Sequence, residues 1–527
     1  MGLRGGAYNC AAVVLYLGSA AAACVEAGRS QAHFVDLQVY RMGGAAVLHG
    51  GSLYQLRYGG LPFTYPPFAA VLLTVFAALP WAASVLLLTV ASAAALPVML
   101  YFALRLRPAS AQLSRTLAGR SALAAGAAAI WLEPAGTTLR YGQVDILLAA
   151  LVLYDLALAD STQQFRGGSG GSSAPKSAAR KGAAIGLAAG LKLTPLIFVA
   201  YLLVTRRYRA AVTALAVFAA TVAAGFAVLP ASSAWYWRGA FANPGHISPV
   251  QDPENQSLFG ALARVLHSAD VVALWLPLAA LVLAGGMVLA AAAARRGNEA
   301  LGFSACALTG LLISPISWTH HWVIAIPALL LACLAAYRAY RDGHPTMALA
   351  AVAGLLAITV VGWTRLARNT TGADWLHLSA HALVHSALYV VAGLVALALA
   401  AIYLLRTPGN LGEVPGPDTL ATAVTGVPHP RPWESLRTWR SGIPDSGARN
   451  DHREPLPRRH VAGAAHVDSD RRADRTQRGA FGQIVGQGPR IVAGSGGAVG
   501  VDHAPPGDAA AVQGHDPAHL ARALALG

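Results

Sequence analysis

Apolar runs separated by short polar, proline-rich or glycine-rich breaks fill about the first four hundred residues of the chain. A helix crossing the hydrocarbon core of a bilayer needs about 20 mostly apolar residues. The first such run is 8–28, preceded by Arg4. It has no small-residue cleavage site and more apolar text follows, so it reads as an anchor rather than a removed signal peptide. Further runs lie near 66–80, 82–104, 118–133, 143–160, 182–204, 210–229, 271–294, 299–316, 322–338, 346–363 and 381–404, which makes twelve expected helical spans. Two longer polar stretches interrupt them, 29–65 and 230–257, with a shorter turn at 317–322. No internal repeat is evident.

Composition sharpens this picture. Of 527 residues 55% are hydrophobic and only 12% are charged, with a mean hydropathy of +0.49. A soluble globular domain carries about 25% charged residues, so a cytosolic globular protein is excluded. Residues 1–410 hold 26 Lys and Arg against 12 Asp and Glu, whereas 411–527 hold 13 against 12. The expected organisation is a transmembrane domain over 1–410 and a polar tail over 411–527. The tail lacks apolar periodicity, is expected to be disordered, and is given no function. Residues 161–181 are a Gly/Ser-rich loop. The basic excess punctuates apolar runs instead of forming one polar face, which reads as topology signals and not as a nucleic-acid surface. Twelve spans put both termini in the cytoplasm, with Arg206, Arg207, Arg209, Arg295, Arg296, Arg338, Arg341 and Arg406 on that side. The same count sets Arg105, Arg107, Arg115 and Arg120 outside, against the rule; either that loop is an exception or 66–104 is one broken span. The four cysteines lie in apolar text without CxxC spacing and read as buried small hydrophobes.

Ionisable groups near a bilayer are costly, which draws attention to the few that are present. Asp36 is the sharpest, with Tyr40 four residues on; it reads either as a helix N-cap or as a general base. Asp252 and Glu254 read as solvated loop charges. Adjacent His320 and His321 are expected to point apart, which argues against chelation; they belong either to an interfacial aromatic belt with Trp318 and Trp322 or to a phosphate or proton site. His377, His381 and His385 would form a stripe on one helix, without the carboxylate partner of a zinc motif. Lys192 falls mid-span and unpaired, where a bound phosphate is a natural partner. Glu133 and Gln143 at helix ends fit interhelical bonding or a site role equally. No P-loop or dinucleotide fingerprint appears. A polytopic secondary transporter or lipid flippase is the rival class, but its ionisable residues would sit at the midplane rather than in loops.

The phrases FVDLQVY (34–40), PFTYPPFAA (62–70), IWLEP (130–134), YGQ (141–143), GLKLTP (190–195), NQS (255–257) and LLISPISWTHHW (311–322) resemble the actinobacterial polyprenol-phosphate-mannose-dependent α-1,2-mannosyltransferases. These form glycosyltransferase family 87, of the C-type superfamily. The resemblance covers roughly residues 8–405 with the motifs in order, and departs at a Gly/Ser insertion near 166–174 and in the tail. It implies an all-α, multi-spanning C-type bundle in the plasma membrane, with the active site on the outer face and no cofactor or metal. It implies a polyprenol-phosphate-mannose donor and a phosphatidylinositol mannoside acceptor, joined with inversion. Asp36 would be the catalytic base, and His320, His321 and Lys192 would hold the donor phosphate. Tyr40, Tyr65, Glu133, Gln143 and Trp318 would complete the substrate site.

Overall fold

Every backbone N–H and C=O within a bilayer must find a partner inside the protein, and this chain meets that demand with helices. The computed structural model describes residues 2–29, 34–108, 111–158, 180–243, 249–341, 343 and 374–406. The expected span 346–363, most of the Gly/Ser-rich loop and the tail 411–527 lie outside the described residues. In chain order the elements are α1 (Gly2–Arg29), α2 (Val35–His49), a small antiparallel hairpin of β1 (Arg57–Tyr58) and β2 (Leu61–Pro62), α3 (Pro67–Ala78), α4 (Trp81–Arg105), α5 (Arg115–Ala129), α6 (Glu133–Tyr141) and α7 (Asp145–Ala157). Then follow α8 (Ala183–Leu191), α9 (Ile197–Val204), α10 (Tyr208–Val228), α11 (Pro230–Trp237), α12 (Leu258–Val265), α13 (Val272–Arg295), α14 (Glu299–Ile313), α15 (Ile326–Arg341), α16 (Ala380–His385) and α17 (Leu388–Arg406).

The all-helical membrane bundle is what the sequence pattern expects, but the spans differ in length. Among the described residues six helical runs are long and apolar enough to cross: Tyr8–Arg29, α4, α10, α13, the 3₁₀ turn Thr319–Ala325 running into α15, and α17. The runs at 66–80, 118–133, 143–160 and 299–316 give helices of 12, 15, 13 and 15 residues. At 1.5 Å per residue these reach only about 18–23 Å. Polar residues, Pro and Gly trim them: Pro66 before α3, Gly142 and Gln143 before α7, Ser314 and Pro315 after α14. The run 182–204 breaks at Lys192, whose backbone is extended (φ −150, ψ 132). Pro195 then offers no amide N–H to restore the ladder.

Small residues bring these short helices into backbone contact. Gly182, Gly186 and Gly190 repeat every four residues along α8 and face α10. A Cβ would lie 2.3 Å from the Ala214 carbonyl oxygen at Gly186 and 2.3 Å from Thr221 Oγ1 at Gly190. This is the close approach that small-xxx-small spacing permits.

Arg107, Arg207, Arg296 and Arg338 gather at one end of the bundle. Arg207 makes a bidentate pair with Glu299 at 2.5 and 2.6 Å, and the Tyr201 hydroxyl donates to the same carboxylate at 2.7 Å. Arg296 donates to the carbonyl of Leu404. The Ala300 amide donates to the Leu106 carbonyl at 3.0 Å, and the Arg107 and Arg338 guanidiniums repel one another. The loop after α4 therefore lies beside Glu299 and Arg207, not at the opposite end as the twelve-span count has it. The exception at Arg105–Arg120 disappears, and 66–104 becomes one crossing, α4, preceded by the short α3. Cysteine burial is mixed: Cys306 is buried, Cys24 and Cys333 are partly so, and Cys10 is exposed on α1.

Candidate active site

The end of the bundle away from Arg207 carries α2, the hairpin, α6, α11, α12 and the turn at Thr319. The start of α2 is locked against the end of α6. Phe34, in the left-handed region (φ 53), is the N-cap, and its amide donates to the Arg140 carbonyl at 3.2 Å. Asp36 is the second helical residue, so it does not cap α2, contrary to one of the two readings of the sequence. Gly142 ends α6 with φ 69, and a Cβ there would lie 2.8 Å from Leu37 Cβ. Only glycine allows both that dihedral and that approach.

This lock sets Gln143 against the face of α2 that carries Asp36 and Tyr40. Tyr40 donates to Gln143 Oε1 at 2.6 Å and Tyr65 donates to the same oxygen at 2.9 Å. With the amide oxygen occupied twice, the amide NH₂ is left to Asp36, whose carboxylate form Gln143 favours. Asp36 is half-buried and opens on a cavity. Burial pushes its carboxyl up to about 7, with the Gln143 bond and the Lys192 charge pulling down and Asp145 pushing further up.

Across the cavity is a cluster rich in hydrogen-bond donors. Lys192 is not mid-span and unpaired as expected: it sits at the break between α8 and α9 and donates to Asp145 Oδ1 at 2.7 Å. Its Nζ lies 5.5 Å from the centre of the Tyr65 ring. His320 and His321 fall on a 3₁₀ turn, and their rings are 4.8 Å apart, edge to face, instead of pointing apart. Asp145 Oδ2, both ring nitrogens of His320 and Nδ1 of His321 are buried without a hydrogen-bond partner. Among the described residues Asp145, His320 and His321 also form a set of three possible metal ligands, within 4.8 Å of one another. The Lys192 ammonium on the same carboxylate counts against a divalent cation there, because like charges would share one site. An anion suits the lysine and the two imidazoles better.

The third wall is the loop before α12. Asp252 and Glu254 were expected to be solvated, yet both are half-buried and both face the cavity. Asn255, Gln256 and Ser257 behind them are fully buried. Asn255 donates to the carbonyls of Val250 (2.9 Å) and Pro315 (3.0 Å) and accepts from the Ser317 amide (2.9 Å). Gln256 bonds through its amide to the Ser317 carbonyl at 2.8 Å, and Trp322 donates to its carbonyl at 3.2 Å. The NQS phrase thus fixes the SPISW phrase that carries the histidine turn. Asp145 was not picked out in the sequence, and Glu254 was read there only as a solvated loop charge. Asp145 had one signal, an acid two residues from Gln143; Glu254 had another, an acid directly before the polar run Asn255-Gln256-Ser257.

The cavity measures about 570 Å³, and its walls include Asp36, Tyr65, Gln143, Lys192, Trp318, His320 and His321. Tyr40 stands behind this wall, reaching it through Gln143. Glu133 also lies off the wall, where it accepts from the Tyr389 hydroxyl at 2.8 Å. His377, expected on one helical stripe with His381 and His385, precedes α16 and bonds Asp374 at 2.6 Å.

A family model described as glycosyltransferase family 87 matches residues 63–315. A polyprenol-phosphate-mannose-dependent alpha-(1-2)-phosphatidylinositol mannoside mannosyltransferase of Mycobacterium tuberculosis is 34% identical over 379 residues, covering 68% of this chain and 84% of that one. The chain belongs to glycosyltransferase family 87. A second relative in this family, the polyprenol-phosphate-mannose-dependent alpha-(1-2)-phosphatidylinositol pentamannoside mannosyltransferase of Mycolicibacterium smegmatis, is 33% identical over 66% of this chain and 77% of its own length. Crystal structures of ArnT from Cupriavidus metallidurans, in the apo state and bound to undecaprenyl phosphate, are 20% and 17% identical and align with a TM-score of 0.34, covering 76% and 74% of this chain and 77% of theirs. Membership of family 87 makes the chain a glycosyltransferase and removes the transporter or flippase reading. The four short helices and the ion pairs described above belong to a membrane-embedded enzyme.

Proposed function

We propose that this enzyme transfers mannose from polyprenol-phosphate-mannose to the 2-hydroxyl of a mannose on a phosphatidylinositol mannoside, with inversion, forming an α-1,2 linkage. The activities named for its relatives support the substrates. The chemistry is supported above all by one observation: the Asp36 carboxylate, set beside Gln143, opens on a cavity that is also lined by a lysine and by two histidines with buried ring nitrogens that lack a hydrogen-bond partner.

A β-linked mannosyl phosphate that gives an α-linked product must invert at the anomeric carbon, so a single displacement suffices. Asp36 takes the proton of the acceptor hydroxyl as its oxygen attacks the anomeric carbon and the bond to the phosphate oxygen breaks. A group whose proton affinity lies near neutrality is matched to that task. Phosphate is already a good leaving group, so no acid is needed to protonate it, unlike the paired carboxylates of glycosidases. The charge that gathers on the departing polyprenyl phosphate is met by the two remaining N–H groups of Lys192 and by His320 and His321. Tyr40 and Tyr65 act through Gln143 in this scheme, and Trp318 borders the sugar. Glu133 positions α6.

The gathering of Arg107, Arg207, Arg296 and Arg338 at one end supports a cytoplasmic side there by the positive-inside rule. α14 runs from Glu299 at that end to Ile313 at the cavity. The active site then opens on the outer face of the plasma membrane. The test is to incubate the full chain in lipid nanodiscs with labelled polyprenol-phosphate-mannose and a panel of phosphatidylinositol mannosides. Lengthened products whose new mannose is released by an α-1,2-specific mannosidase are expected. Donor consumption without a lengthened glycolipid would overturn the assignment.

A further inference from the structure

The cavity has a wall that the transfer scheme leaves idle. Glu254 faces the same space as Asp36 from the loop before α12, and its carboxylate feels the charge of Asp36. Glu254 makes no ion pair among the described residues. Its side chain accepts only from the Tyr141 hydroxyl, which is shared between its two oxygens at 3.3 and 3.4 Å. That is a long, divided bond, and it leaves most of the carboxylate's capacity to accept hydrogen bonds unused.

Its surroundings limit what it meets. Asp252, Glu133 and Asp36 all add negative charge around Glu254, and together with burial they push its carboxyl up to about 7. A phosphate brought against Glu254 would be repelled, whereas Lys192 attracts it; the two regions adjoin, since Tyr141 beside Glu254 packs edge to face on His320 at 5.7 Å. The cavity is therefore polarised, and a substrate with a phosphate end and a polyol end has one favourable orientation. Sugar hydroxyls suit the Glu254 wall because they are neutral donors, and two neighbouring hydroxyls match the two oxygens of one carboxylate.

Glu254 is also held still. Its own amide donates to Asp252 Oδ1 at 2.9 Å. Arg264, fully buried on α12, donates to the carbonyls of Asp252 (2.8 Å) and Asn255 (3.1 Å) on either side of it, and to the carbonyl of Ser386 at 2.7 Å. A cation spent on backbone carbonyls fixes the loop and leaves the Glu254 side chain unneutralised. A group pre-set in this way loses little entropy when it binds.

We propose that Glu254, with Tyr141 beside it, is the acceptor-sugar subsite, accepting hydrogen bonds from hydroxyls of the acceptor mannose other than the one that attacks. This rests on the mannosyltransferase reading and adds to it the group that selects the acceptor. Arg264 is a positioning residue for that group.

The test crosses enzyme variants with acceptor analogues. Wild type, Glu254→Gln and Tyr141→Phe are assayed in nanodiscs on phosphatidylinositol mannosides whose terminal mannose lacks the 3-, 4- or 6-hydroxyl. A hydrogen bond to a charged group is worth roughly tenfold to a hundredfold in binding. Wild type is expected to lose that much kcat/KM on at least one deoxy acceptor. Glu254→Gln is expected to raise the acceptor KM by a similar factor on the natural substrate and to lose little more on that analogue. Its donor KM should match wild type, and donor binding measured at equilibrium shows that it folds. Equal deoxy penalties in wild type and Glu254→Gln would overturn the proposal, and so would a raised donor KM. A wild type that transfers to no phosphatidylinositol mannoside fails earlier and sinks the parent reading along with it.

Discussion

Replacing Asp36 by Asn separates chemistry from architecture, because the structure limits what else the change disturbs. Phe34, not Asp36, caps α2, so no helix cap is lost. Asn keeps a side-chain oxygen for the Gln143 amide and removes a charge that burial already disfavours. Folding and membrane insertion should therefore survive. What disappears is the proton acceptor, and general bases contribute about 10²–10⁴ in rate, or roughly 2.7–5.4 kcal/mol of barrier at 1.36 kcal/mol per decade. Because the Asp36 carboxyl is pushed up to about 7, part of the wild-type enzyme is protonated at neutral pH and lacks its base. The comparison should be made near pH 9, where wild type is fully deprotonated and the ratio is undiluted. The assay is single-turnover transfer from pre-bound labelled donor, with donor affinity measured separately by equilibrium binding. Donor affinity should hold within about twofold, since the phosphate-binding groups are on the other wall. Asp36→Glu should also lose most of its activity, because an added methylene moves the carboxylate by about an ångström and spoils the attack geometry. An Asp36→Asn enzyme that turns over at close to the wild-type rate would refute the assignment of Asp36 as base.

The pH profile of kcat/KM should rise with unit slope below about 7 and level off above it, since a protonated Asp36 is too weakly basic to take the acceptor proton; Glu254→Gln should keep this limb, and its loss there would transfer the limb to Glu254. Lys192→Met strips the buried Asp145 carboxylate of its partner and should cost about 3–5 kcal/mol of stability, seen as a lowered Tm. The double change Lys192→Met with Asp145→Asn should recover much of that Tm but none of the donor affinity, and recovered affinity would remove Lys192 from the phosphate site. Tyr40→Phe together with Tyr65→Phe frees the Gln143 amide to turn, so turnover should fall at least tenfold with donor affinity intact, while either single change leaves one anchoring hydroxyl and a smaller loss. Truncation after about residue 410 should leave insertion and turnover largely unchanged; a stably expressed truncation without activity would make the tail a working part.

Apolar periodicity reports burial in lipid, so the helical membrane bundle was legible from the sequence, as was the helix that opens the 29–65 stretch. Periodicity says little about where a helix stops. The break at Lys192 and the early ends of α3, α7 and α14 arise from single prolines, glycines and polar residues inside runs that average as apolar. Charge counting leaves Arg105–Arg120 as an exception only when the 12-residue α3 is taken as a crossing; the alternative of one broken span over 66–104 removes it. Asp36 stood out because it is the lone acid of its stretch, and its Gln143 partner lay in a short phrase of its own. The Lys192–Asp145 pair joins residues 47 apart, and no local pattern signals a partner at that distance. Glu254 was misread for a related reason: the Arg264 and Asn255 bonds that bury its loop are made to segments far along the chain.

The short helices also bear on how a membrane-bound substrate is met. α3 begins beside Pro66, α7 just after Gln143 and α14 ends at Ile313, and all three of these ends border the cavity. Where α7 and α14, about 20–23 Å long, stand in a hydrocarbon layer of about 30 Å, the mismatch is relieved by local thinning, at a fraction of a kcal/mol per ångström. The floor of the cavity thus lies deeper than the surrounding headgroups, and the leaflet dips toward it. A long-chain phosphate can then descend to Lys192 while its tail stays among the acyl chains, and a glycolipid can lower its sugar without leaving its own leaflet. Turnover becomes a property of the bilayer as well as of the protein. Lipids with shorter acyl chains, which lessen the mismatch, should ease entry, and thicker membranes should slow it.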